Sequence, residues 1–130
     1  MKHSDINLKT LELMGWAKLG DDSNEAATHV YEIAPSQIIM FRKKNNESDS
    51  WAVWEPALDP AQAEIVAQKH GGQVSTEQLK DGFFFATLVT EGRTFERRER
   101  TLALAYCMVA LDYWANKQIA ITFLLPWQSS

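Results

Sequence analysis

Within ten residues, Glu91-Gly-Arg93-Thr-Phe-Glu96-Arg97-Arg98-Glu99-Arg100 sets four arginines among three glutamates. A guanidinium offers a planar fork of donors that fits a phosphate or carboxylate. At the start of a long helix, the free backbone N–H groups would add to that attraction. Arg93, Arg97, Arg98 and Arg100 are therefore candidate anion contacts. The same spacing also fits a solvated first turn, with Glu96 and Glu99 paired to Arg97, Arg100 and their neighbours. Three carboxylates nearly cancel four guanidiniums, so no purely basic face remains, and ion pairing is the favoured reading.

A second basic run, Arg42-Lys43-Lys44, lies near Trp51 and Trp54. Backbone charge with stacking rings is the arrangement that holds single-stranded nucleic acid. Lysines that flank a strand also serve as solubilising edge residues. The charge distribution favours the latter: residues 1–65 hold 6 basic and 11 acidic groups, residues 66–130 hold 7 and 6. Nucleic acid is an alternative partner, not the favoured one.

Catalytic motifs supply defined mechanical parts: a nucleophile elbow, a phosphate-cradling glycine loop, a paired-histidine metal helix. None of these is spelled out. Glu77, Lys80 and Asp81 precede an aromatic run, but Glu77 and Lys80 sit at ordinary helical salt-bridge spacing. His3, His29 and His70 share no metal-ligand spacing with one another or with Cys107, the single cysteine. His70 reads as a residue at a helix C-terminus, favoured there by the dipole. The expectation is a non-enzymatic protein with no cofactor and no metal.

The elements that position these residues follow from hydrophobic period and breakers. Leu8, Leu11, Leu13, Met14 and Trp16 predict a helix from Asp5 to about Leu19, with Ser4 or Asp5 as cap. Thr28 to Ile33 and Ser36 to Arg42 predict two strands around Pro35. Lys43 to Ser50 reads as a hairpin loop before a strand at Trp51 to Glu55. Asp59-Pro60-Ala61-Gln62 starts a helix, with Asp59 as N-cap, Pro60 at the first position and Gln62 placed for a capping box. That helix runs to His70, buries Ala61, Ile65 and Val66, and ends at Gly71-Gly72. Phe83 to Thr90 is the clearest strand. Residues from about Phe95 to Lys117 predict the longest helix, apolar all round, which must be covered all round by its own domain or by a second subunit. Gln118 to Leu125 alternates in the manner of a terminal strand. The order predicts an α/β (α+β) fold, a single-domain sandwich over residues 1–130 of a mostly antiparallel sheet with helices packed on its faces.

The chain has 130 residues, 45% hydrophobic and 23% charged, with a net charge of −4. Those values fit a globular domain and argue against a strongly nucleic-acid-seeking one. No apolar run approaches the roughly 20 residues that span a bilayer, and no export signal is evident. A lone cysteine without such a signal points to a reducing cytoplasm.

Five tryptophans, Trp16, Trp51, Trp54, Trp114 and Trp127, are many for this length. Most are accounted for by core packing. Leu124, Leu125 and Trp127 near the end are costly to expose and call for docking on their own domain or on a second copy. Tyr113, Trp114, Leu124, Leu125 and Trp127 form the candidate interface, and the chain itself, as a homodimer, or another protein is the expected partner.

Three stretches together resemble the phage ABA-sandwich domain family: Leu13-Met14-Gly15-Trp16; Trp54 to Pro56 with Asp59, Pro60, Ala61, Gln62, Ala63, Ile65 and Val66; and Leu102-Ala103-Leu104-Ala105-Tyr106-Cys107-Met108. The resemblance spans most of the chain and implies an α-β-α sandwich of phage or mobile-element origin. It implies no activity that transfers to residues here, and the segment 118–130 lies beyond its pattern.

Overall fold

The computed structural model describes residues 2–15, 17–18, 28–33, 38–43 and 52–129. Helix α1 spans His3–Met14 and buries Ile6, Thr10, Leu13 and Met14, one stripe at helical spacing. It stops five residues earlier than the apolar period suggests. Gly15 takes φ 68° and its N–H returns to the Leu11 carbonyl, a left-handed cap that only glycine adopts without strain. Neither Ser4 nor Asp5 is the cap; Lys2 holds that position with no side-chain bond.

Strands β1 (Ala17–Lys18), β2 (Thr28–Ile33), β3 (Ile38–Lys43) and β4 (Ala52–Val53) form one sheet in that order. β1 runs parallel to β2, and the other pairs are antiparallel, with Val30 opposite Phe41.

Helix α2 (Pro60–Gln68) starts as its sequence predicts. The Asp59 carboxylate accepts from the N–H of Ala61 at 2.9 Å and of Gln62 at 3.4 Å, and Pro60 fills the first turn. Gln62 does not close a capping box. Its Oε1 accepts from the Glu55 N–H at 2.7 Å and its Nε2 donates to the Val53 carbonyl at 2.9 Å, so it clamps the approaching segment instead. The helix ends at Gln68, two residues before His70, and buries Ala63, Val66 and Ala67, while Ile65 points outward.

Strands β5 (Gln73–Gln78), β6 (Phe84–Thr90) and β7 (Arg93–Glu99) form an antiparallel meander. Two of these elements correct the sequence reading. Glu77 lies on a strand, and the Glu77–Lys80 helical spacing does not exist. The arginine block is not the first turn of the long helix but strand β7. Glu91 and Gly92, at φ 54° and 74°, make the two-residue turn that folds β7 back on β6.

Helix α3 (Leu102–Ser129) follows, and it absorbs the segment 118–125 that alternation assigned to a strand. From Ala103 to Tyr113 it lies between two layers. Ala105, Val109 and Tyr113 pack on Ala86 and Leu88 of the β5–β7 sheet. Ala103, Cys107, Ala110 and Leu111 pack with Ile6, Leu13, Trp54 and Val66 on the side of α1 and α2. Alanines at these positions let neighbours approach closely. The fold is α+β, with mostly antiparallel pairing and helices against a sheet.

Candidate functional site

Strand geometry splits the arginine block, because successive side chains point to opposite faces. Phe95, Arg97 and Glu99 face α3, while Thr94, Glu96 and Arg98 face outward. Each guanidinium meets a partner within the chain. Arg97 donates through Nε to Glu99 at 2.9 Å and through Nη1 to Asp112 of α3 at 3.3 Å. Arg98 pairs with Asp81 and lies 3.9 Å over the Phe83 ring. Arg100 sits 5.8 Å from the same ring, and Arg93 bonds Asn116 of α3. Glu99 and Asp112 raise the Arg97 pKa further, and Phe83 N–H and Arg98 hold the Asp81 carboxyl below its usual range. The block is a set of intramolecular ties at the edge of the sheet.

Arg42 and Lys43 fall on β3, and their side chains lie outside the described residues, as do Lys44 and Trp51. Trp54 is no stacking platform. It is 1% exposed, and its indole N–H donates to the Thr10 hydroxyl at 3.0 Å.

A denser polar cluster was hidden in the sequence because its members come from four elements. His70, beyond the end of α2, donates from Nε2 to the Leu13 carbonyl at the end of α1, at 3.3 Å. Its ring stacks on Trp114 at 5.3 Å and tilts against Tyr113 at 5.6 Å. The Tyr113 hydroxyl donates to Glu91 at 3.2 Å, and the Lys117 ammonium donates to that hydroxyl at 3.4 Å. Burial pushes the His70 pKa down, with Lys117 and Lys69 adding to the effect, against the Leu13 carbonyl and Glu91. Tyr113, placed in the candidate interface, is thus buried in the chain's own core at 4% exposure.

Beside this cluster, a cleft of about 290 Å³ opens between α1 and α3. Met108, Leu111, Trp114 and Ala115 supply its apolar lining. Lys9, Glu12, Asp112 and Gln118 supply the polar one. Past the cleft, Ile119 stands 55% exposed on α3. The side chains of Leu124, Leu125 and Trp127 lie outside the described residues, although the helix carries them. Cys107 is buried, and burial pushes its thiol up to about 12, which leaves it unsuited to nucleophilic work.

Among the described residues, no group of three His, Cys, Asp or Glu side chains converges as a metal site, and no helix is long and apolar enough to cross a membrane. No family model, curated protein or solved structure matches the chain.

Proposed function

We propose that this chain is a small non-enzymatic protein that acts through protein–protein contact and pairs with itself through the C-terminal part of α3. The observation that carries the reading is the length of that helix against the sheet it rests on. Twenty-eight residues rise about 42 Å, whereas the seven residues of β6 reach about 23 Å. The helix therefore overruns its sheet, and the overrun is apolar: Ile119-Ala-Ile-Thr-Phe-Leu-Leu-Pro-Trp127, with Ile119 exposed where it begins. An apolar helix of this kind gains by covering itself against a partner. The internal pairing of Arg93, Arg97 and Arg98 supports a protein partner over nucleic acid. A phage or mobile-element origin rests on the resemblance of the three sequence stretches, and a cytoplasmic location on the single buried thiol.

The test is mass by light scattering for the full chain and for Ile119→Arg. Ile119 is exposed, so the substitution leaves the core intact, and an unchanged circular dichroism spectrum confirms it. The expected result is twice the chain mass for the parent and a single-chain mass for the variant. A parent that is monomeric, or that gains mass only with oligonucleotide and loses it as salt rises, overturns the proposal.

A further inference from the structure

His70 closes the C-terminal end of α1 from outside that helix. The final carbonyls of a helix have no partner within it. In α1 the Leu11 carbonyl takes the Gly15 N–H, and the Leu13 carbonyl takes His70 Nε2 at 3.3 Å from 57 residues along the chain. The imidazole is held for this contact by its stack on Trp114 and its tilted packing on Tyr113, both from α3. Leu13 and Met14, the residues that the tie holds down, are buried with Val66, Cys107 and Ala110. Nearer the start of α1, the ties to the segment before α2 run through groups that do not titrate. Thr10 accepts from the Trp54 indole at 3.0 Å, and Asn7 accepts from the Ala57 N–H at 3.0 Å. At the other end the tie runs through a titratable ring.

Neutral His70 donates from Nε2, so a proton arriving in acid goes to Nδ1, for which no protein acceptor stands among the described residues. The surroundings oppose the charge as well. Burial does so first, by withholding water. Lys117 on α3 and Lys69 at the end of α2 add like charge. Two groups favour the charged ring: the Leu13 carbonyl of α1 and Glu91 of the β6–β7 turn. The Glu91 carboxylate, however, already takes the Tyr113 hydroxyl at 3.2 Å and lies 3.9 Å from the Lys117 ammonium. We propose that His70 is a pH-sensitive latch: while neutral it pins the last turn of α1 against α3, and on protonation it turns to solvent and frees that turn. Met14 and the Trp114 ring are then bared, while Asn7 and Thr10 keep the rest of the helix in place. Such an opening is local, and amide exchange detects it.

Hydrogen exchange of the full chain, corrected for intrinsic rates, tests the latch between about pH 7.5 and about pH 5.5, with the His70 ring titration followed by NMR in the same samples. The expected result is a several-fold loss of protection at the N–H groups of Leu13, Met14 and Gly15 with no matching loss in β6. Its midpoint should coincide with the titration of the ring. His70→Gln keeps a donor for the Leu13 carbonyl and leaves His3 and His29 in place, and it should show no such loss. Equal protection at both pH values overturns the latch, as does a loss spread evenly over α1, β6 and α3. A loss in His70→Gln equal to the parent's, or a midpoint apart from that of the ring, overturns it too.

Discussion

The Trp54 indole N–H donates to the Thr10 hydroxyl at 3.0 Å while that hydroxyl donates to the Asn7 carbonyl at 2.7 Å, so one threonine on α1 joins the helix to the segment before α2. Both side chains are buried, Thr10 completely. Asn7 adds a second tie by accepting the Ala57 N–H at 3.0 Å. Thr10→Val keeps the shape and removes the acceptor of a buried donor, which costs about 1–3 kcal/mol. Urea unfolding should show that loss, and Thr10→Ser should retain most of the stability. Equal stability of the valine variant and the parent would contradict the relay.

His70 makes stability fall on the acid side of neutrality. Its folded pKa lies below the ordinary 6.5, so the folded chain binds fewer protons than the unfolded chain as pH drops through that range. The contribution is present above the unfolded pKa and is lost as pH falls through the folded one. Between about pH 7.5 and about pH 5.5, the parent should lose more stability than His70→Gln. Asp112 works in the opposite direction, because burial raises its carboxyl pKa despite Arg97, but it does so in the carboxylate range at lower pH. Parallel pH profiles of the parent and His70→Gln would refute the assignment.

Gly72 passes close to β6. A Cβ there would meet Leu88 Cδ1 at 2.7 Å and Thr90 Cβ at 3.0 Å, with the Val89 carbonyl oxygen at 3.2 Å. Gly72→Ala should therefore destabilise by about 1–3 kcal/mol, the cost of overpacking. Chemical denaturation measures it, and an unchanged midpoint would show that the strand yields.

Cys107 should be inert in the folded chain. With no exposure and a pKa of about 12, it should fail to react with an aromatic disulfide reagent at about pH 8, and should react fully in guanidinium. Prompt native reaction would mean that α3 opens from its bed.

Local chemistry made some of the architecture readable and concealed the rest. Asp59 and Pro60 announced α2 because a cap and a fixed φ act within one turn. Phe84 to Thr90 announced β6 by its aromatic and β-branched content. The segment 93–99 misled because Arg and Glu are good helix formers at pairing distance, whereas its true period of two rests on one aromatic, Phe95, and on charged residues. The signal that identifies it is Glu91-Gly92, a two-residue turn between two runs of strand length. β5 carries Gln, Ser, Thr and Glu on a half-exposed edge, so it left little hydrophobic pattern to read. Ile119, Ile121, Phe123 and Leu125 alternate, yet no breaker separates them from the helix before, and the helix simply continues. The His70 cluster was illegible for a different reason: Leu13, His70, Glu91 and Tyr113 are distant in sequence, and only the meeting of α1, α2, the β6–β7 turn and α3 assembles them.

The central claim is that the C-terminal part of α3, apolar in sequence and beginning at the exposed Ile119, pairs two copies. Sedimentation equilibrium of the full chain, over a range of concentrations at low and high salt, tests it most directly. The account predicts a dimer that persists or tightens as salt rises, since burial of uncharged surface drives it. A single-chain mass at every concentration and salt level would contradict it.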